Sequence, residues 1–495
     1  MSLLQVTDLS FSYENSYDPI FQKVSFRLDT DWRTGVVGRN GKGKTTFLKL
    51  LTGGMEYSGS ITADVSFDYF PYPVADRGLD TVDAMYCLEP GLLLWKLKKD
   101  MAELGAEEEM LYRPFRTLSY GEQTKVMLAV LFQRVGSFLL IDEPTNHLDR
   151  ESRVRVSAFL KKQKGFLLVS HDRSFLDGCI DHVLAFNRSD LEVQSGNFSS
   201  WYQNRQMQDA FEMAENERLK KDIRRLSAAA DQTKRWGDAV ESTKLGKKSV
   251  ANGPDRISRD YIGEKSRRMQ QRRKNLAHRQ ERALQEKKVL LKNQEDSDIL
   301  KMEPLVYHKE VLVSASDLSL YYGNHEVCSN VNFAVRRGGR ISIQGKNGSG
   351  KSSILKRILG EKIAYHGELN VGSGLKISYV SQDTSHLKGS LAEYIRESDI
   401  EEHLFKAVLR KLDFSRVQFH KDMETYSEGQ KKKVLIAESL CEKAHLYIWD
   451  EPLNFIDVYS RMQLEKLLLM WKPTLLFVEH DAAFTEKIAT SVCRV

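Results

Sequence analysis

The sequence predicts an α/β protein: two tandem copies of one phosphate-binding domain joined by a long α-helical hairpin. Three observations carry that prediction. A glycine-rich loop, Gly38-Arg-Asn-Gly-Lys-Gly-Lys-Thr-Thr46, returns 307 residues later as Gly345-Lys-Asn-Gly-Ser-Gly-Lys-Ser-Ser353. The spacings behind the two loops agree. Lys44 to Ser119 is 75 residues and Lys351 to Ser427 is 76, and 23 residues then separate Ser119 from Asp142 and Ser427 from Asp450. Between the copies lies a charged stretch whose apolar residues recur at helical spacing. The expected boundaries are 1–202 for the first domain, 203–304 for the linker and 305–495 for the second domain.

The chain has 495 residues, 41% hydrophobic and 29% charged, enough for several domains that each bury a core. No apolar run approaches the ~20 residues of a membrane helix. The N-terminus alternates like a strand and lacks the basic region and cleavage site of a signal peptide. Five separated cysteines without a C-x-x-C pair exclude a disulfide scaffold and a zinc site built on paired cysteines. The expectation is a cytoplasmic protein with no membrane partner. Charge is uneven: residues 241–290 hold 15 Lys/Arg against 6 Asp/Glu, although the whole chain nets only +6. A basic element set in a nearly neutral body suggests a polyanionic partner.

In chain order, Leu9-Ser-Phe-Ser-Tyr13 opens the first copy as Leu318-Ser-Leu-Tyr-Tyr322 opens the second. Each glycine-rich loop follows an apolar strand (Thr34–Val37; Ile341–Gln344) and precedes a helix (Phe47–Leu51; Ile354–Leu359). That is the setting of a P-loop. Gly38, Gly41 and Gly43, with Asn40, and Gly345, Gly348 and Gly350, with Asn347, let backbone N–H groups converge on phosphate oxygens. Lys44 and Lys351 are placed to neutralise β/γ-phosphates; Thr45 and Ser352, followed by Thr46 and Ser353, are placed to hold Mg2+. The substrate class is therefore a nucleoside triphosphate.

Phe138–Glu143 and Leu446–Glu451 are buried-strand runs that end in two acids. In an open parallel sheet such acids face the ligand. Asp142 and Asp450 are expected to orient Mg2+, and Glu143 and Glu451 to polarise the attacking water. His171 and His480 follow a further apolar strand within reach of the γ-phosphate.

The middle segment reads as a hairpin with arms of about 45 Å, taking 1.5 Å per residue. Leu219, Ile223, Leu226 and Ala230 stripe the first arm, and Ile262, Met269, Leu276, Ala283 and Leu290 the second. Gly237–Gly263, with Gly246 and Asn252-Gly253-Pro254, is expected to form the turn and a basic tip.

Leu118-Ser-Tyr-Gly-Glu122 and Tyr426-Ser-Glu-Gly-Gln430 resemble the signature motif of ATP-binding-cassette (ABC) ATPases, and both copies carry the full motif set. The resemblance implies head-to-tail pairing, with ATP between each P-loop and the opposite signature. Ser427, Gly429 and Gln430 then face Lys44, and Ser119, Gly121 and Glu122 face Lys351. It also implies that Tyr13 and Tyr322 stack on adenine, and that Gln382, in Tyr379-Val-Ser-Gln382, is the Q-loop residue that contacts Mg2+. The first copy departs here: Phe70-Pro-Tyr72 offers no glutamine. Because both glutamates are present, hydrolysis is expected at both sites.

Glu-Pro-Thr-Asn-His-Leu-Asp149 in a twin-cassette chain with a charged helical linker resembles the ABC-F subfamily. That resemblance implies a monomer that binds the bacterial 70S ribosome and inserts its linker through the tRNA exit site, against rRNA and tRNA. The near-equal spacings of 75 and 76 residues leave no room for an extra arm in the first cassette, and only 15 residues follow His480. With Trp449-Asp-Glu-Pro-Leu-Asn-Phe-Ile-Asp457 and Tyr69-Phe-Pro-Tyr-Pro-Val74, these features resemble the Lsa/Vga-type antibiotic-resistance proteins. Protection of the peptidyl-transferase centre from lincosamides, pleuromutilins and streptogramin A is what that branch implies. A housekeeping translation factor is the alternative. The ATPase subunit of a transporter fits less well, since fused transport cassettes need only a short tether.

Overall fold

The computed structural model describes residues 2–13, 19–134, 136–186, 191–245, 304–398 and 400–495. The chain separates into two compact units, Met1–Trp201 with Leu300–Val495, and Tyr202–Ile299. The first unit contains both copies of the repeat.

In the first cassette β1 (Leu3–Phe11), β2 (Phe21–Asp29), β3 (Arg33–Gly38), β4 (Ser58–Thr62), β5 (Ser66–Phe70), β6 (Ser137–Asp142), β7 (Phe166–Val169), β8 (His182–Phe186) and β9 (Leu191–Ser195) form two sheets. A small antiparallel sheet has the order β2-β1-β4; the main sheet has the order β5-β6-β7-β3-β8-β9 and is parallel except for its last pair. The strand β7, Phe-Leu-Leu-Val, is buried at every residue, as expected of a parallel strand covered on both faces. The strand β2 alternates, burying Val24, Phe26 and Leu28. Phe47 joins these layers, packing between Phe21, Phe26 and Phe186.

The second cassette repeats the plan with β10 (Val311–Tyr322), β11 (His325–Arg336), β12 (Arg340–Gln344), β13 (Ala364–Val371), β14 (Ile377–Val380), β15 (Leu446–Asp450), β16 (Leu475–Val478) and β17 (Ser491–Arg494). Its sheets have the orders β11-β10-β13 and β14-β15-β16-β12-β17. In both main sheets the P-loop strand lies beside the strand that leads to the histidine, and the acid-bearing strand is next. Gly38, Asp142 and His171 therefore meet at one sheet edge, where the sequence puts the ligand.

The P-loop helices begin earlier than the apolar pattern suggests, at Lys44 and Lys351 rather than Phe47 and Ile354. Gly43 and Gly350 are the caps, at φ 89° and 85°. A side chain there is doubly excluded: a Cβ on Gly43 would lie 2.4 Å from Ile20 Cγ2. The helix start thus belongs to the loop's phosphate geometry and not to the hydrophobic stripe.

In the linker, one helix runs from Phe198 to Leu245 and carries Leu219, Ile223, Leu226 and Ala230. It passes through Gly237, so the turn does not start there. A single glycine costs a helix only ~1 kcal/mol, which flanking helix formers offset. The remainder of the expected tip, 246–263, and the second-arm stripe lie outside the described residues.

Candidate nucleotide-hydrolysis sites

Each site is assembled from a P-loop and the turn that follows the acids. Lys44 Nζ donates to Gly38 O (2.8 Å) and Arg39 O (3.1 Å) and reaches Asn40 Oδ1 at 3.4 Å. Burial lowers the Lys44 pKa, against the pull of Asp457, Glu143 and Asp142. Lys351 repeats the pose on Gly345 O (3.0 Å) and Lys346 O (2.7 Å). Thr45 Oγ1 donates to Asp142 Oδ2 at 2.8 Å, and Ser352 Oγ to Asp450 Oδ1 at 3.1 Å. In both cassettes, then, the P-loop hydroxyl is hydrogen-bonded to the first acid.

The acids are followed by a strained turn in both copies. Glu143 and Glu451 have φ of 49° and 48°, and His147 and Phe455 have φ of 66° and 63°. Left-handed non-glycine residues are costly and tend to mark functional turns. Here the strain aims carbonyls at the opposite cassette. Asn40 Nδ2 donates to Phe455 O (2.8 Å), and Asn347 Nδ2 to His147 O (3.0 Å). Signature glycines lie against the same carbonyls. A Cβ on Gly429 would be 2.4 Å from Phe455 O and 3.3 Å from Asn40 Nδ2, and one on Gly121 would be 3.1 Å from His147 O. Each P-loop therefore faces the other cassette's signature, in the expected head-to-tail arrangement.

Ser119 and Ser427 are helix N-caps, and each motif is a capping box. Ser119 N–H donates to Glu122 Oε2 (2.7 Å) and Ser427 N–H to Gln430 Oε1 (3.0 Å), with the serine hydroxyls accepting in return. Glu122 and Gln430 thus serve their own helices, whose N-termini present a partial positive charge. Tyr13 OH is 2.9 Å from Thr46 Oγ1, and Tyr322 OH donates to Ser353 Oγ at 3.4 Å. Both rings remain exposed beside the P-loops.

The two sites differ around the second acid. Glu451 Oε2 accepts from Gln382 Nε2 (2.9 Å) and Asn454 Nδ2 (2.7 Å), and His480 Nε2 is 3.5 Å from Oε1. Burial alone would push Glu451 up, but His480, the Asn454 amide and Lys351 outweigh it and hold the carboxyl below the ordinary glutamate value. Gln382 thus contacts the glutamate and not the Asp450–Ser352 pair where Mg2+ was expected. Glu143 has His171 Nε2 at 3.3 Å, without hydrogen-bond geometry, and its Oε1 has no hydrogen-bond partner. Burial and Asp142 push it up to about 8. His171 is held well below the usual histidine value by burial and by Lys44 and Arg461, so it is neutral.

A cavity of about 320 Å3 in the second site is lined by Asn347, Lys351, Gln382, Glu451 and His480, with His147 from the first cassette. Residues that sequence reasoning missed include His147, Asn454 and Tyr69, whose hydroxyl donates to Asp142 Oδ2 at 3.0 Å.

Residues 21–146 and 328–454 match the family described as "ABC transporter", about half of the chain. The chain belongs to the ATP-binding-cassette family. Among its relatives, the ribosome protection protein VmlR of Bacillus subtilis is 28% identical over 98% of this chain and 86% of its own length. The putative ATP-binding protein YdiF of Bacillus subtilis is 26% identical over 99% and 80%, and the ATP-binding protein Uup of Caulobacter vibrioides 25% over 96% and 74%. These relatives agree with the ABC-F resemblance of the motifs. Among solved structures, an archaeal ribosome recycling factor in complex with a stalk protein aligns at TM-score 0.64 and 19% identity, covering 98% of this chain and 87% of that one. An RNase-L inhibitor aligns at 0.62 and 19% identity, covering 98% and 86%. Both support the twin-cassette fold. This ABC protein is an ATP-hydrolysing enzyme, and among its described residues no helix is long and apolar enough to cross a membrane.

Proposed function

We propose that this chain is a ribosome-protection ATPase of the bacterial cytoplasm, acting as a monomer whose two cassettes close on two ATP molecules. The observation that carries this reading is full-length similarity to a relative named a ribosome protection protein. The basic stretch 241–290 supports it, because Lys and Arg neutralise rRNA phosphates and Arg stacks on unpaired bases.

The chemistry follows from the geometry. P-loop amides with Lys44 or Lys351 bind the phosphates, and the opposite signature helix caps the γ-phosphate. Glu143 and Glu451 take a proton from the attacking water, with neutral His171 beside the first and His480 beside the second. Thr45 with Asp142, and Ser352 with Asp450, are hard oxygen donors suited to Mg2+. Among the described residues no group of three or more His, Cys, Asp or Glu could hold a metal alone, which fits a cation shared with substrate phosphates. A Mg2+ ion held by these residues would supply positive charge against the substrate phosphates. Tyr13 and Tyr322 lie where an adenine ring can stack. ATP-driven closure would hold the linker in the tRNA exit site and dislodge lincosamides, pleuromutilins or streptogramin A from the peptidyl-transferase centre.

The test is a panel of inhibitory concentrations in a susceptible Gram-positive host, comparing the wild-type chain with Glu143→Gln/Glu451→Gln. Resistance to those three classes, lost in the variant together with at least about a hundred-fold of ATPase turnover, is the expected result. A second reading is a translation factor without a drug phenotype, since YdiF and Uup, similar at nearly equal identity, are named only as ATP-binding proteins. ATP-dependent ribosome binding with no change for any drug would select it.

A further inference from the structure

The two cassettes stabilise different members of their acid pairs. In the second, Gln382 binds the glutamate Glu451, and Asp450 accepts only from Ser352 among the hydrogen bonds to side chains. In the first, strand register places Tyr72 where Gln382 stands: Phe70 pairs with Ile141 as Val380 pairs with Trp449, and the two residues follow two positions later. Tyr72 turns its hydroxyl away to Met127 O (2.8 Å), under the Arg134 guanidinium. Among the described residues no hydrogen bond joins this loop to Glu143, although both line one cavity. Instead Tyr69, the residue opposite Leu140, donates to Asp142 Oδ2, the oxygen that also accepts from Thr45.

We propose that Tyr69 is a positioning residue that fixes the Asp142 carboxylate for cation binding at the first site. Tyr379, its repeat counterpart, has no such role. The inference rests on the proposed Mg2+ role of Asp142. Two distances and one contrast carry it. Thr45 Oγ1 and Tyr69 OH both donate to one oxygen, at 2.8 and 3.0 Å, and no hydrogen bond to Asp142 Oδ1 is seen among the described residues, so that oxygen could face a cation or its water shell. Tyr379 follows the same register, opposite Ile448, yet makes no hydrogen bond to Asp450. A hydroxyl-to-carboxylate bond is charge-assisted and directional, so its loss frees the carboxylate to rotate.

The test uses the full chain carrying Glu143→Gln/Glu451→Gln, so that ATP binding is read at equilibrium. Manganese is titrated in the presence of ATP, and free Mn2+ is counted by electron paramagnetic resonance. The parent should bind two equivalents. Tyr69→Phe should weaken one of them roughly ten-fold, as expected for a lost hydrogen bond to a charged group, and Tyr379→Phe should leave both unchanged. Binding of a fluorescent ATP analogue in EDTA should be the same in all three proteins. Two unchanged equivalents in Tyr69→Phe overturn the proposal alone. Lost EDTA-phase binding would reassign Tyr69 to packing and overturn it as well. A parent that binds no ATP-dependent Mn2+ removes the metal reading, and this inference with it.

Discussion

Glu143 and Glu451 occupy the same left-handed turn of the repeat, but their surroundings have diverged. Glu451 is held by two side-chain amides and kept ionised, whereas Glu143 has no side-chain amide partner among the described residues, is enclosed beside Asp142 and is pushed up to about 8. Part of the difference traces to the replacement of one loop, Ser381-Gln382 in the second cassette against Pro71-Tyr72 in the first, and part to the turn after the acids, where Asn454 bonds Glu451. It teaches that equal motif sets do not give equal sites. The motifs fix which groups are present, and the neighbours fix their charge state.

The cassettes also differ in what ties them together. Arg173, two residues beyond His171, pairs with Glu465 of the second cassette, which is fully buried and also accepts from Lys487 Nζ at 2.9 Å. The repeat offers Ala482 and Ser157 at the corresponding positions, so the second site has no such tie. Removing one partner of a buried pair strands the other charge. Glu465→Gln should therefore cost about 3 kcal/mol, the lower end for a broken buried pair, and Ser157→Ala at the matching position about 1 kcal/mol or less. Denaturant melts of the two variants measure the contrast. Equal losses would mean that the cassette contact is not one-sided.

A smaller effect separates the two signature glycines. A methyl group on Gly429 would meet Phe455 O at 2.4 Å, while one on Gly121 would meet His147 O at 3.1 Å. The first collides with backbone and the second needs a shift of tenths of an ångström. Gly429→Ala should lower turnover at the first site, isolated by Glu451→Gln, by roughly ten-fold, the scale of small misplacements in an active site. Gly121→Ala, read at the second site in the Glu143→Gln background, should cost about two-fold on the same scale. Reversal of that order would show that the closed sites relax differently from the geometry described.

Much of this was legible in the sequence. The P-loops, the acid-ending strands and the histidines could be placed because each is a short motif at the end of an apolar strand, and the repeat confirmed each one. Local motifs did not reveal Tyr69, Asn454 or His147, because each acts through a partner brought near by the fold: Asp142 on the neighbouring strand, Glu451 across a strained turn, and Asn347 of the other cassette. The helix running through Gly237 was missed for a different reason. A breaker is a local penalty, and in a helix of 48 residues cooperativity overrides it.

The pH dependence of turnover tests the comparison at its root. A general base works only when deprotonated, so a pKa raised to about 8 leaves Glu143 mostly protonated at pH 7 and half ionised at pH 8. Turnover at the first site, isolated by Glu451→Gln, should rise about five-fold between pH 7 and pH 8, the change in ionised fraction for such a group. Glu451, whose pKa is lowered, is already ionised throughout that interval, so the second site, isolated by Glu143→Gln, should change less than about two-fold. The experiment is a pair of ATPase profiles from pH 6 to pH 9 at saturating ATP and Mg2+. Parallel profiles would mean that phosphate and cation restore one charge state to both acids on binding. The asymmetry would then belong to the empty cassettes and not to the reaction.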